Sequence, residues 1–168
     1  MIQILLLNLL LTLPILALAE DAIPQSNGDC PAGYTASGDF CKPLNIGNSG
    51  EADVIEKRGV NCPPGYDKSG DGHCKQSWNS DTKKLPKSGN DCPTGYSSSG
   101  DYCEPIFSGR PKDEHVIEKV GNRCPRAYIS GKGYCKRDPK VNIEAVPRKP
   151  GAKCPYAWRT QGDYCVKH

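Results

Sequence analysis

Short segments in which apolar and polar positions alternate recur five times along the chain. Each segment begins with Cys-Pro, has an aromatic residue four positions after that cysteine, and places a ring directly before a second cysteine. The centre between the rings is polar and contains glycine. Two short extended arms around such a centre are typical of a β-hairpin. The pattern therefore predicts five hairpins, at residues 30–41, 62–74, 92–103, 124–135 and 154–165.

The third copy, "CPTGYSSSGDYC", is the most regular. Strand alternation along its first arm predicts that Cys92, Thr94 and Tyr96 share one face. The second copy has one extra residue, which falls between Ser69 and Gly72. Because insertions are tolerated where the backbone reverses on the surface, this region is the predicted turn.

Glycine stands three residues after the first cysteine in three copies, at Gly33, Gly65 and Gly95. The last two copies have Ala127 and Ala157 there. Alanine rarely adopts a positive φ, so the pattern predicts that this position does not require one.

The first cysteines of successive copies are 32, 30, 32 and 30 residues apart, which indicates a duplicated pair. Val-Ile-Glu-Lys recurs in the linkers 62 positions apart, at 54–57 and 116–119. A regular period is typical of arrays in which each unit contacts mainly its neighbours, either as a rod or as beads. We expect irregular structure in the linkers, at residues 42–61, 75–91, 104–123 and 136–153.

Residues 1–19 form an apolar run without a charged side chain that ends in Ala17-Leu18-Ala19. This pattern predicts a secretory signal peptide cleaved before Glu20, followed by an N-terminal segment at residues 20–29. An uncleaved membrane anchor is the alternative, although Asn8 and Pro14 interrupt a run at the short end of what spans a bilayer. The predicted location is secreted, periplasmic or at the cell surface.

The exported part contains few large apolar residues. Leu, Ile, Val and Phe number 18 in residues 20–168, about 12% of that part. Chains below about 20% rarely fold by apolar burial alone. A large single core is therefore not expected.

Ten cysteines, all in the exported part, indicate disulfides in an oxidising compartment. The economical pairing joins the two cysteines of each copy, and the alternative links each copy to the next. The within-copy pairs are Cys30–Cys41, Cys62–Cys74, Cys92–Cys103, Cys124–Cys135 and Cys154–Cys165. Closing such a loop contributes on the order of 3 kcal/mol in the chain-entropy model. The predicted fold class is a small, disulfide-rich, mainly β protein of five tandem disulfide-closed hairpins.

The net charge of +3 is unevenly distributed. Residues 20–118 carry 10 basic and 16 acidic side chains, whereas residues 119–168 carry 12 basic and 3 acidic ones. This asymmetry favours either self-association of the acidic and basic parts or attraction of the C-terminal part to an anionic surface. Nucleic acid is not an expected partner, because no reader module is recognisable.

The cysteine spacing contains no Cys-x-x-Cys pair, so we expect neither a zinc site nor any cofactor. Asp39, Asp101 and Asp163 recur beside the turn, but one carboxylate per copy falls short of the six to eight oxygens that calcium takes. Hydrogen bonding within the turn is their expected role. No catalytic residues are predicted, since a chain without a substantial core can hardly hold a catalytic constellation in place.

The aromatic residue of the first arm is the best binding candidate. Tyr and Trp on small disulfide scaffolds can stack on sugars or anchor a protein partner, or they can cover their own disulfide. The five candidates are Tyr34, Tyr66, Tyr96, Tyr128 and Trp158.

Each copy resembles the closing loop of an EGF-like module, in which Cys-Pro-x-Gly-Tyr leads into a disulfide-closed hairpin. The other four cysteines of that module are missing, so its fold and calcium site are not implied. The tandem pattern is also similar to exported bacterial proteins, including marine cyanobacterial ones, that carry Cys-Pro-x-Gly-Tyr…Ser-Gly-x-Tyr-Cys repeats. This resemblance implies export and no particular activity.

The leading hypothesis is therefore an exported, non-enzymatic repeat protein that serves adhesion, surface structure or the binding of a protein or glycan partner. The alternatives are a secreted effector, such as a toxin or protease inhibitor, and a carbohydrate- or calcium-binding module.

Overall fold

The computed structural model describes residues 22–44, 52–80, 82–107 and 115–167, and every regular element in these ranges is a β-strand. The fifteen strands form five small antiparallel sheets of three strands each. The predicted signal peptide, residues 1–19, lies outside the described residues.

Each sheet is one unit of three consecutive strands. Unit 1 contains β1 (Ile23–Pro24), β2 (Tyr34–Ser37) and β3 (Phe40–Pro43). Unit 2 contains β4 (Val54–Glu56), β5 (Tyr66–Ser69) and β6 (His73–Gln76). Unit 3 contains β7 (Leu85–Pro86), β8 (Tyr96–Ser99) and β9 (Tyr102–Pro105). Unit 4 contains β10 (Val116–Glu118), β11 (Tyr128–Ser130) and β12 (Tyr134–Arg137). Unit 5 contains β13 (Glu144–Pro147), β14 (Arg159–Gln161) and β15 (Tyr164–Lys167).

The last two strands of each unit are the predicted hairpin. The first strand, called the linker strand below, comes from the N-terminal segment in unit 1 and from the preceding linker in units 2–5. The linker strand pairs with the second strand of the hairpin, which is therefore central, as in the order β4-β6-β5. The expectation of irregular linkers was thus wrong in part. Two of these linker strands have only two residues and end in proline, so they are strands only because the hairpin supplies their hydrogen-bonding partner.

The predicted pairing of the cysteines is confirmed, because all five disulfides close a hairpin within one unit. The second cysteine of each pair lies on the central strand and is fully buried. On that strand it faces an apolar residue of the linker strand, as Ile55 faces Cys74 and Ile117 faces Cys135. The disulfide therefore lies at the middle of each sheet.

The hairpin turns lie where the insertion predicted them. In unit 3, Ser99 pairs with Tyr102 across a two-residue loop, and in unit 2 the extra residue lengthens this loop. The prediction that the first arm starts at Cys92 was wrong, since the strand begins at Tyr96. The four residues from Pro93 to Tyr96 form a turn instead, in which the N–H of Tyr96 donates to the carbonyl of Pro93.

The third residue of this turn has a positive φ in every unit, which contradicts the expectation drawn from the alanines. Gly33, Gly65 and Gly95 have φ of 89°, 82° and 86°, and Ala127 and Ala157 both have 67°. A type II turn requires this conformation at its third position. The same residue then presents its carbonyl to the linker, as the carbonyl of Ala127 accepts from Asp138 N–H at 2.8 Å. For Ala127 and Ala157, this left-handed backbone conformation costs about 1–2 kcal/mol of conformational free energy each.

The buried residues form clusters at the joints between units. One cluster joins units 2 and 3, a second joins units 4 and 5, and a third joins units 5 and 1. The clusters consist of Ile55, Tyr66, Cys74 and Tyr102; of Ile117, Tyr128, Cys135, Ile143, Ala145, Tyr164 and Val166; and of Ala22, Phe40, Trp158 and Cys165. The apolar side chains therefore hold the units to one another, and the described residues form no single large core.

The ring that precedes the second cysteine reaches into the preceding unit at each joint. The hydroxyl of Tyr164 in unit 5 accepts from Val120 N–H in unit 4 at 2.7 Å and donates to the carbonyl of Val120 at 3.2 Å. It also lies 3.5 Å from the sulfur of Cys135. Tyr102 and Tyr134 make the same kind of contacts on units 2 and 3. Burial raises the pKa of all three hydroxyls.

The five units close into a ring. Unit 1 packs against unit 5 in the same way as each other unit packs against the unit before it. Phe40 of unit 1 packs with Trp158 of unit 5. Asp39 accepts from the backbone N–H of Lys153 at 3.1 Å, and the Lys149 ammonium donates to the carbonyl of Gln25 at 2.9 Å. The units are therefore arranged neither as an open rod nor as independent beads. The ring has five joints, and closure by repetition is the principle of β-propellers.

We predict that Tyr164→Phe lowers the free energy of unfolding by about 1–3 kcal/mol, because it leaves buried backbone groups of Val120 without their partner. Denaturant unfolding with the disulfides intact measures the change. Tyr156→Phe is the matched control, since that ring is 88% exposed and the substitution is expected to change stability by less than about 0.5 kcal/mol. Equal effects of the two substitutions would contradict the role of the joint hydroxyl.

Candidate functional site

The five predicted binding aromatics lie at different depths. Tyr66, Tyr128 and Trp158 are buried, with exposures of 6%, 8% and 9%. Tyr34 and Tyr96 are half-buried. The three buried rings belong to the clusters between units, so their position favours the structural of the two predicted roles.

Tyr66 connects its own unit to the next linker. Its hydroxyl donates to the carboxylate of Asp53 at 2.6 Å and accepts from Lys84 N–H of unit 3 at 3.0 Å. Burial and the neighbouring carboxylate of Asp53 raise the pKa of Tyr66 far above its usual value. The hydroxyl therefore stays protonated and serves as a bridge between units 2 and 3.

Tyr128 is the corresponding bridge between units 4 and 5. Its hydroxyl donates to the carbonyl of Ile143 at 3.1 Å and lies 2.9 Å from Nδ1 of His115. The two rings meet edge to face, with their centres 5.9 Å apart. Burial, with smaller contributions from Arg137 and Lys83, lowers the pKa of His115 to about 4. The imidazole is therefore neutral at physiological pH.

Trp158, the one candidate that departs from tyrosine, lies at the joint that closes the ring. It packs with Ala22 and Phe40 of unit 1, and the ammonium of Lys167 lies 5.9 Å from the centre of its ring. Phe40, which stands in place of tyrosine before the second cysteine of unit 1, is its neighbour. The remaining departure from tyrosine, His73 of unit 2, lies at the joint with unit 1, where its Nε2 is 3.2 Å from the carbonyl oxygen of Pro24.

The recurring aspartates also lie at joints. Asp39 accepts from the backbone N–H of Lys153 in unit 5. The carboxylates of Asp101 and Asp163 approach two glycines of the preceding units so closely that a Cβ there would require the carboxylate to move. These glycines are Gly59 and Gly121. Within the described ranges, no group of three or more His, Cys, Asp or Glu side chains is placed to hold a metal ion.

An ion pair connects two units that are not neighbours in the ring. The guanidinium of Arg58 in unit 2 lies 2.9 Å from Glu118 of unit 4 and 3.0 Å from Glu56 of its own unit. The three side chains are roughly 35–49% exposed, so the contribution of each pair to stability is small. The contact therefore connects units 2 and 4 directly.

Four exposed apolar side chains, which the sequence did not single out, lie in the linkers at one end of the sheets. Each linker runs from the end of one central strand to the start of the next linker strand, and strand polarity places all linkers at the same end. Trp78 is 97% exposed and Phe107 is 72% exposed, each four residues after the second cysteine of its unit. Leu44 and Ile106 share the position three residues after it. This shared offset from the cysteine is the sequence signal that identifies them.

The charge asymmetry of the sequence becomes a spatial one. Units 4 and 5 are adjacent in the ring, and their described residues 115–167 carry 12 basic and 4 acidic side chains. We name the exposed basic side chains of these two units the basic sector. Its members are Arg123, Arg126, Lys132, Lys136, Lys140, Lys149, Lys153 and Arg159. In the described part of units 1–3, by contrast, the exposed basic side chains are only Lys68 and Lys83.

No protein-family model, curated protein or solved structure matches the chain. Among the described residues, no helix is long and apolar enough to cross a membrane.

We predict that His115 makes the stability of the protein pH-dependent. The folded protein keeps this ring neutral down to a pH of about 4, whereas the unfolded chain takes up a proton near 6.5. The stabilisation is therefore complete above pH 6.5 and is lost as the pH falls towards 4. Each pKa unit corresponds to about 1.4 kcal/mol, so we expect a loss of roughly 1–3 kcal/mol over this interval.

Denaturant unfolding at pH 7 and at pH 4 tests this for the natural protein and for His115→Gln. The carboxylates titrate in both proteins, so the difference between the two losses isolates His115. An identical loss in both would show that His115 does not carry the effect.

Proposed function

We propose that the protein is an exported, non-enzymatic binding protein whose ring presents the basic sector to an acidic polysaccharide outside the cell. The single observation that carries this is the concentration of exposed cations on two adjacent units. Five disulfides in a small β protein support the exported location, because such bonds persist in oxidising compartments.

Two acidic side chains of units 4 and 5 contact residues outside the basic sector. Glu118 pairs with Arg58 of unit 2, and Asp163 lies against Gly121 at a joint. The salt bridges found in the described part do not involve Arg123, Arg126, Lys132, Lys140, Lys149, Lys153 or Arg159. The field of these cations therefore extends into solvent, where it attracts polyanions over roughly a Debye length.

The closed ring supports this function mechanically. Clusters between the units and the disulfides within them fix the cations relative to one another. A polymer that engages several fixed cations gains avidity, because each contact after the first is intramolecular. The structural and adhesive roles expected from the repeats are served by the same arrangement.

We predict retention on immobilised heparin, used as a sulfated polysaccharide probe, and elution by increasing salt. Neutralising one basic residue near an anionic surface removes about 1 kcal/mol, so Arg123→Gln with Lys132→Gln is expected to weaken binding roughly 25-fold. The matched control, Lys68→Gln with Lys83→Gln, removes the same charge from units 2 and 3 and is expected to elute with the natural protein. The proposal is contradicted if the two double variants elute alike, or if uncharged agarose retains the protein equally.

Export makes a separate prediction. N-terminal sequencing of the protein recovered outside the cytoplasm is expected to begin at Glu20, after cleavage behind Ala17-Leu18-Ala19. A sequence that begins at Met1 would show a retained segment and would favour the anchored alternative.

A further inference from the structure

A cleft of about 180 Å³ lies between units 4 and 5. Arg126 of unit 4 forms one side, and side chains of unit 5 form the rest. The lining of unit 5 consists of Ile143, Arg159, Thr160, Gln161 and Val166.

The cleft lies at a joint where a charged side chain of the repeat is missing. The residue after the second cysteine is charged in four units, at Lys42, Lys75, Glu104 and Lys136, but it is Val166 in unit 5. A valine is too short to cross the joint, so space is left beside it.

Two other joints show what the longer side chain does. Lys75 of unit 2 reaches back to unit 1, where its ammonium donates to the carbonyl of Ala32 at 3.3 Å. Lys42 of unit 1 lies over the ring of Tyr156 in unit 5, at 5.9 Å from its centre. Ala32 and Tyr156 stand two residues after the first cysteine of their units, and Arg126 occupies the same position in unit 4. In the cleft, the lysine is thus absent and an arginine stands on the opposite side.

The side chains that line the cleft suit a small ligand that carries an anionic group. Arg126 and Arg159 are exposed, and no ion pair to a carboxylate engages either guanidinium in the described part of the chain. A guanidinium binds a carboxylate or sulfate through two parallel hydrogen bonds. Ile143 and Val166 provide an apolar floor and are 9% and 5% exposed.

The rim adds uncharged hydrogen-bonding groups. The side-chain oxygen of Gln161 accepts from the backbone N–H of Arg126 at 3.1 Å. This bond fixes the orientation of the Gln161 amide and leaves its NH₂ group to donate to a ligand. The hydroxyl of Thr160 lies 3.3 Å from the sulfur of Cys154 and keeps lone pairs that can accept. Donors and acceptors beside the cations match the hydroxyls of a sugar ring, whereas an acidic peptide side chain needs only the cations.

We propose that this cleft binds a single sugar residue that carries a carboxylate or a sulfate. The volume is below the roughly 300–1,000 Å³ of pockets for drug-sized ligands, so it accommodates one ring-sized group. The inference rests on the proposed function and deepens it, because it assigns one unit of the acidic polysaccharide to one place on the basic sector. The rest of the sector then attracts the polymer without distinguishing its residues.

Titration with monosaccharides, followed by the amide resonances of Arg126 and Gln161, tests the site. Glucuronate and glucose 6-sulfate distinguish the two anions, and glucose is the neutral control. We expect saturable shifts with at least one acidic sugar and none with glucose. Equal shifts with glucose, or tighter binding of N-acetylglutamate than of either acidic sugar, would overturn the assignment.

Two double variants separate the cleft from the surrounding charge. Arg126→Gln with Arg159→Gln is expected to weaken binding of the acidic sugar at least about 10-fold, because both guanidinium groups are lost. Lys68→Gln with Lys83→Gln removes the same charge outside the basic sector and is expected to leave it within twofold. Equal weakening by both would show a diffuse electrostatic effect and would refute the site.

Val166→Lys restores the residue that stands at this position in units 1, 2 and 4. It is expected to fill the cleft and abolish binding of the acidic sugar, while the added cation keeps retention on heparin equal or stronger. Undiminished sugar binding by a folded variant would refute the site, and the double variants decide the question if this one does not fold. A natural protein that binds the acidic sugar but is not retained on heparin would instead refute the proposed function alone.

Discussion

The position of the second cysteine in each unit is the constraint on which the rest of the structure depends. This cysteine lies on the central strand, fully buried, and its disulfide closes the hairpin. At three joints its sulfur also lies 3.5–3.7 Å from the tyrosine hydroxyl of the following unit. One bond therefore stabilises the unit and shapes the surface that the next unit covers. A chain with few large apolar residues can fold in this way, because the same side chains serve two units at once.

Closure follows from using the same joint five times. Each unit presents a ring to its predecessor and receives one from its successor, so an open array would leave Phe40 and Trp158 exposed at its ends. The closing joint replaces the buried hydroxyl with packing of two large rings and with the contacts of Lys149 and Lys153 to unit 1. Covalent linkage between units is unnecessary for this, because burial of aromatic area supplies the attraction.

Function is connected with the places where the units differ. The conserved features of the repeat, which are the cysteines, the turn and most of the rings, are used for structure at the joints. The variable positions around them determine the surface. They make units 4 and 5 basic and give the linkers of units 1–3 exposed apolar side chains. The cleft illustrates this division, since Val166 stands where Lys42 and Lys75 reach across two other joints.

The sequence by itself determined the features that depend on contacts within a dozen residues. The hairpins, their turns and the five disulfides all follow from the spacing of Cys, Gly and aromatic residues in one copy. Tertiary structure alone decided the rest. Leu85–Pro86 is a strand only because β9 lies beside it. The role of Trp158 depends on Phe40, more than a hundred residues away along the chain. The spacing of residues within one copy specifies a disulfide-closed hairpin. Closure of the five units into a ring and the cleft between units 4 and 5 arise from contacts between distant segments. No pattern within a single copy specifies these contacts.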